Sequence, residues 1–224
     1  MFINILQGAL NLIFPDNCLL CRQFLNSQHK RQVCSKCLDS LAFNPTPLTA
    51  PDRHKYAFDE PWSVCFYNET AQKLLHAFKY QGKTSLRKTF VPLMINFIDR
   101  HHLTINKYDI IAPIPLHPSR LRERGYNQSL LLSLPLSQHY GIPHTENLLI
   151  RQKRTQTQTE LGAKQRWTNL EDAFRIKNLD LAKDKNILLI DDLYTTGATA
   201  NTASIVLKKA GALGVGILTL SKTV

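Results

Sequence analysis

The stretch ILLIDDLYTTGATANT, Ile187 to Thr202, joins an unbroken apolar run to two adjacent aspartates and then to a group of threonines around one glycine. Residues 187–190 are apolar without alternation, the pattern of a strand covered on both faces, as in a mainly parallel sheet flanked by helices. On that reading Asp191 and Asp192 emerge at the strand's carboxyl end, where open sheets of this kind gather their ligands. Thr195, Thr196, Gly197, Ala198 and Thr199 lead into the next helix. The first-turn amides of a helix lack intrahelical partners and carry the positive end of its dipole, so the loop suits a phosphate. Gly197 lets the backbone approach the anion, and the three threonine hydroxyls add donors. Carboxylates would repel that phosphate, so they address hydrogen-bond donors or a cation a few ångströms away, and ribose hydroxyls, alone or with Mg2+, fit. Together the stretch describes a site for a ribose 5-phosphate. It is neither a Walker A loop nor a GxGxxG fingerprint. The one Gly-Lys-Thr, Gly82 to Thr84, has Ala77 where the Walker motif needs its first glycine.

Along the rest of the chain, strand-like and helix-like segments alternate. WSVCFYN (62–68), YDIIAPIP (108–115), NLLI (147–150), AFRI (173–176), NILLI (186–190) and VGILTLS (215–221) read as strands. Helices are expected at ETAQKLLHAFKYQG (69–82), LRKTFVPLMINFIDRHH (86–102), GYNQSLLLSLPLSQHYG (125–141) and TANTASIVLKKAG (199–211), with Pro135 expected to kink or shorten the third. The fold class is α/β. A chain of 224 residues with 43% apolar content can build such a core, since a chain of this size hides about 70% of its unfolded surface.

Ahead of these elements, CLLCRQFLNSQHKRQVCSKC holds two CxxC knuckles, Cys18 with Cys21 and Cys34 with Cys37. Four thiolates on two tight turns suit a closed tetrahedral site for structural zinc, which leaves no position for substrate. The alternative is a pair of disulfides, which a reducing compartment disfavours. Arg22, His29, Lys30, Arg31 and Lys36 around the knuckles are either a solvated face or a nucleic-acid contact. Cys65 reads as a core residue. Pro45, Pro47 and Pro51 mark a boundary between an N-terminal helix and zinc module, residues 1–50, and a main domain, residues 55–224. The leading MFINILQGALNLIF is apolar on one stripe (Phe2, Ile5, Leu6, Ala9, Leu10, Ile13) but spans fewer than the roughly 20 residues that cross a bilayer. It reads as an amphipathic helix, neither signal peptide nor membrane span. An excess of 28 Lys and Arg over 17 Asp and Glu, net +11, favours anionic partners.

ILLIDDLYTTGAT resembles the phosphoribosyl-pyrophosphate (PRPP) binding motif of type I phosphoribosyltransferases. Together with the knuckles, FKYQGK (78–83), PIPLHPSRLRERGYNQ (113–128) and RTQTQTELGAKQRWTNLEDAF (154–174), it makes nearly the whole chain similar to the ComF/GntX family. The resemblance implies a phosphoribosyltransferase-like domain that binds PRPP with Mg2+ through Asp191, Asp192, Leu193, Tyr194 and the residues up to Thr199. It further implies a pyrophosphate loop at residues 115–120, with Leu116, His117, Arg120, Arg124 and Lys79 as its site residues. Residues 151–166 correspond to a flexible loop that closes during reaction, where Lys153 and Arg154 are the candidates to meet the leaving pyrophosphate, and Asn127 and Gln128 face the site or fix its loops. The family's association with competence implies a cytoplasmic role in natural transformation and DNA uptake, handling incoming single-stranded DNA, with a helicase-like competence protein as a further partner. The sequence alone leaves a DNA-handling protein on this scaffold and a working transferase with an unknown acceptor both open. Phe24, Tyr80, Tyr126 and Trp167 lie near basic residues and would permit base stacking.

Overall fold

The computed structural model describes residues 17–25, 32–47, 56–153 and 172–223. Four parallel strands form the central sheet: β1 (Glu60–Phe66), β2 (Ile110–Pro113), β5 (Asn186–Tyr194) and β6 (Gly214–Lys222), in the order β1-β6-β5-β2. Two short strands, β3 (Leu149–Arg151) and β4 (Phe174–Ile176), pair as a separate antiparallel ribbon. The helices are α1 (Ser35–Asp39), α2 (Glu69–Tyr80), α3 (Arg87–Arg100), α4 (Pro118–Arg124), α5 (Gln128–Tyr140) and α6 (Ala198–Lys209). The architecture is the expected α/β one, a mainly parallel sheet flanked by helices with four clustered cysteines in front of it. The N-terminal stripe, His29 to Arg31, Pro51, Arg154 and Trp167 lie outside the described residues.

Successive side chains of β5 alternate between the sheet's two faces, and each face has its own core. Leu188 and Ile190 pack with Leu74 and Phe78 of α2, Phe90 and Met94 of α3, and Leu132 and Leu136 of α5. Ile187 and Leu189 pack with Ala203 and Leu207 of α6 and with Val215 and Ile217 of β6. Cys65 is buried as expected; its thiol donates to the Leu220 carbonyl at 3.2 Å, and burial pushes it up to about 11. The knuckle segment joins the first core through Cys18, Leu25, Val33, Leu38 and Leu41. Its tail runs along the outer edge of β1, where Phe43 bridges Cys65 and the Asn44 amide donates to the Val64 carbonyl at 2.9 Å. That pairing covers a sheet edge that would otherwise expose unpaired backbone.

Three local expectations change. Pro135 does not cut α5, which continues five residues beyond it to Tyr140. Fully buried Leu132 and Leu136 on either side hold the helix in the core, and that packing outweighs one missing amide donor. The second half of the expected loop at 115–120 is helical, because α4 starts at Pro118; Pro118 sits at the first turn, where its missing N–H costs nothing, and the His117 side chain caps the helix. Finally, β5 runs four residues past Ile190. Asp191, Leu193 and Tyr194 pair with Thr219, Ser221 and Lys222 of the long strand β6, whereas β2 stops opposite Ile190 at Pro113.

Candidate functional site

Because β5 overruns β2, its last residues project beyond one neighbour while the other still holds them. Alternation then separates the two aspartates. Asp191 continues the α6-facing set and lines a cleft with Ile114, Tyr194, Thr195, Gly197, Thr199 and Thr219. Asp192 continues the opposite set, is 2% exposed, and meets Lys79 of α2, with Nζ 3.0 Å from Oδ2. The structure thus brings Asp191, but not the Asp192 side chain, into the cleft with the threonine loop.

Asp191 Oδ1 accepts two hydrogen bonds, from the Ser129 hydroxyl and from the Asp192 amide, each at 2.9 Å. Ser129 is fully buried at the start of α5, where Asn127 caps the helix by accepting from the Ser129 amide and donates to the Ile114 carbonyl at 3.1 Å. Asn127 is therefore a loop-fixing residue, and Gln128 accepts a hydrogen bond from Arg124. Burial, and then the charge of Asp192, push the Asp191 carboxyl up to about 6, against the pull of Lys79 and the two donors. Lys79 is raised as well: burial acts to lower it, but the charges of Asp192 and Asp191 outweigh burial.

A carboxyl held above its unfolded value favours the protonated folded state. Its contribution is fully present at low pH and is lost as pH rises through the folded value near 6. Asp191→Asn keeps the Oδ1 acceptor and removes the half-buried charge. It is expected to be nearly neutral at about pH 4 and to stabilise the fold on the order of 2 kcal/mol at about pH 8. Paired thermal melts at the two pH values check this, and equal shifts at both would refute it.

Residues 195–199 turn the chain into α6. Gly197 is the N-cap with φ +77°, left-handed, and brings no capping side chain. Tyr194 folds back over it, and Tyr56 reaches across to donate to the Thr196 carbonyl at 3.4 Å. Leu193 is half-buried against the first core, and Ala198 is buried in the second.

Of the residues assigned to pyrophosphate, Lys79, Arg120 and Arg124 come together. With Tyr80, Gly82 and Glu123 they line a second cleft of about 120 Å3. The Arg124 guanidinium lies 5.1 Å from the centre of the exposed Tyr80 ring. His117 instead serves as the cap of α4, its Nδ1 accepting from the Ser119 amide at 3.2 Å, and Leu116 is half-buried beside it. Lys153 turns outward to Asp172 at 3.7 Å. One site residue lies outside the sequence reading, and a second, Arg151, is read there only as the first residue of the flexible loop at 151–166. Ser129 gave no local signal beyond its place after Asn127 and Gln128. Arg151 lies in β3 with its guanidinium 5.3 Å from the Phe174 ring centre. Burial lowers Arg151, Asp191 raises it and Arg120 lowers it further, which places its charge among the site's.

The four knuckle cysteines place their Sγ atoms within 4.8 Å of one another, close enough to bind one metal ion such as zinc. All five cysteines are free thiols. The Cys34 amide donates to Cys18 Sγ and the Cys37 amide to Cys34 Sγ, each at 3.4 Å. Burial acts to raise the Cys18 thiol, but the amides of Cys21, Cys34 and Leu20 prevail and bring it down to about 6, so it is readily a thiolate. This donor set fits a thiophilic ion.

An α/β protein with a cleft at the carboxyl end of a parallel sheet and four cysteines close enough to bind a metal ion is the class these features define. The chain belongs to the ComF family. It is 31% identical over 214 residues to Competence protein F of Haemophilus influenzae, covering 92% of this chain and 90% of that protein. It is 27% identical over 231 residues to the DNA utilization protein YhgH of Salmonella typhimurium, covering 95% of this chain and 99% of that one. Among solved structures it is similar to adenine phosphoribosyltransferase from Leishmania donovani, at 12% identity and a TM-score of 0.40, covering 72% of this chain and 83% of that one. No family model matches the chain. Among the described residues no helix is long and apolar enough to cross a membrane.

Proposed function

We propose that this protein binds PRPP with Mg2+ at the end of β5 and acts in natural competence, in DNA uptake and the handling of single-stranded DNA in the cytoplasm. The observation that carries the ligand is the cleft itself. It joins a half-buried, doubly hydrogen-bonded Asp191 to a left-handed Gly197 at a helix N-terminus. The carboxylate suits ribose hydroxyls and the cation, and the first turn of α6 suits the 5-phosphate. The competence role is supported by membership in the ComF family and by the names of its relatives, Competence protein F and the DNA utilization protein YhgH. In this reading residues 1–50 form the N-terminal zinc module, with zinc structural, and residues 55–224 the phosphoribosyltransferase-like domain.

The second reading is an active phosphoribosyltransferase that moves phosphoribosyl from PRPP to an acceptor and releases pyrophosphate. The gathering of Lys79, Arg120 and Arg124 beside the site favours it, because cations there would neutralise the leaving group. Lys153 and Arg154 are the flexible-loop residues proposed to assist. A helicase-like competence protein is the partner proposed for the DNA-handling role.

Calorimetric titration is expected to show Mg2+-dependent PRPP binding that Asp191→Ala with Asp192→Ala abolishes. Undiminished affinity in the double variant would remove the site assignment. Pyrophosphate release over a panel of acceptors, measured beside salt-dependent single-strand binding, separates the two readings.

A further inference from the structure

Lys79 belongs to two sites at once. Its ammonium pairs with Asp192 at 3.0 Å, and its side chain also lines the cleft of Tyr80, Gly82, Glu123, Arg120 and Arg124. No hydrogen bond from any other described group reaches Asp192 Oδ2, and Asp192 is 2% exposed. A buried carboxylate with one cationic partner is available to a ligand only when that partner leaves. On the other side, Arg120 and Arg124 stand four residues apart on α4 and so share one face. Three cations and one carboxylate line the small cleft, and Tyr80 and Gln128 hold Arg124 in place. Lys79 carries its charge on a flexible four-carbon stem, so a modest swing moves it between the two sites.

The geometry points to an anion-operated latch: a phosphate-type anion seated between Arg120 and Arg124 draws Lys79 off Asp192 and so frees that carboxylate for a divalent cation. The latch rests on the reading of Asp191 and Asp192 as ribose and cation ligands. By reciprocity, a cation on Asp192 releases Lys79 to the anion, so each ligand tightens the other. The anion is either the pyrophosphate arm of PRPP or a phosphate group brought by a second ligand.

The test measures Mn2+ binding to the full-length protein by electron paramagnetic resonance, with sodium sulfate as the anion probe and chloride keeping ionic strength constant. Sulfate is expected to tighten Mn2+ binding about tenfold in the wild type. Lys79→Met is expected to bind Mn2+ tightly without sulfate and to show no response to it. Arg120→Gln with Arg124→Gln, on the surface of α4, is expected to lose the response and keeps the test usable should Lys79→Met misfold. An Mn2+ affinity indifferent to sulfate in the wild type, or a full response in the double arginine variant, overturns the latch. PRPP calorimetry on the same proteins separates the failures: PRPP binding that depends on Asp191 and Asp192 without any sulfate effect removes the latch alone, whereas absent PRPP binding removes the underlying site. If the arginine variant also weakens PRPP, the anion is the ligand's own pyrophosphate. If PRPP binding is intact and only the sulfate response is lost, the anion comes from a second ligand.

Discussion

Removing the zinc proposed for the cysteine cluster, with a strong chelator or by Cys34→Ala, is expected to lower the melting temperature by about 10 °C or more. A structural ion's binding free energy is folding free energy, because the unfolded chain holds no preformed site. Here the loss would spread. Cys18, Leu25, Val33, Leu38 and Leu41 share a buried cluster with Trp62, Val64 and Cys65 of β1 and its surroundings. The backbone of residues 42–44 is paired to the β1 edge through Val64 and Phe66. Releasing the knuckles therefore takes five apolar side chains out of that shared cluster and uncovers a strand edge. Differential scanning fluorimetry with and without chelator checks this, and atomic absorption counts the metal. A melting temperature that responds to reductant but not to chelator would show that sulfur–sulfur bonds, not an ion, hold the segment.

How much was legible in the sequence follows from which interactions are local. The strand at 187–190, the threonine loop, its glycine and the two CxxC turns are all encoded within a few residues, and all appear where periodicity and spacing put them. What escaped depends on partners far along the chain. Ser129 reaches Asp191 across 62 residues, and Tyr56 reaches Thr196 across 140. No window of sequence reports such pairings. The division of Asp191 from Asp192 was half-legible: strand alternation requires it, but only if the strand continues. The length of β5 is set by β6, which runs on to Lys222 and supplies pairing partners that residues 191–194 cannot reveal by themselves. Likewise Pro135 signals a break by local rule and is overruled by two buried leucines whose contacts lie on other elements.

Gly197→Ala is expected to weaken PRPP binding by about a hundredfold or more while the protein stays folded. The position is left-handed, which costs a residue with a Cβ about 1–2 kcal/mol. A Cβ built there would also stand 2.4 Å from Tyr194 Oη, 2.9 Å from its Cζ and 3.1 Å from Tyr56 Cε1, with φ at +77°. Such overlap typically costs a further 1–3 kcal/mol or forces backbone movement. The two rings cannot yield freely. Tyr56 stacks at 4.9 Å on Phe58, which itself meets Tyr194 edge-on at 6.2 Å, and Phe58 is fully buried. The loop must therefore move, and since each 1.4 kcal/mol is tenfold in affinity, a displacement of the anion seat is read directly in binding. Tyr194→Phe removes the nearest atom but leaves Cζ at 2.9 Å. The Tyr194→Phe, Gly197→Ala double variant is therefore expected to recover part of the affinity and not all of it. Calorimetry on the four proteins of this cycle gives the coupling energy between ring and loop. Wild-type affinity in Gly197→Ala alone would mean that the phosphate does not sit on this loop at all.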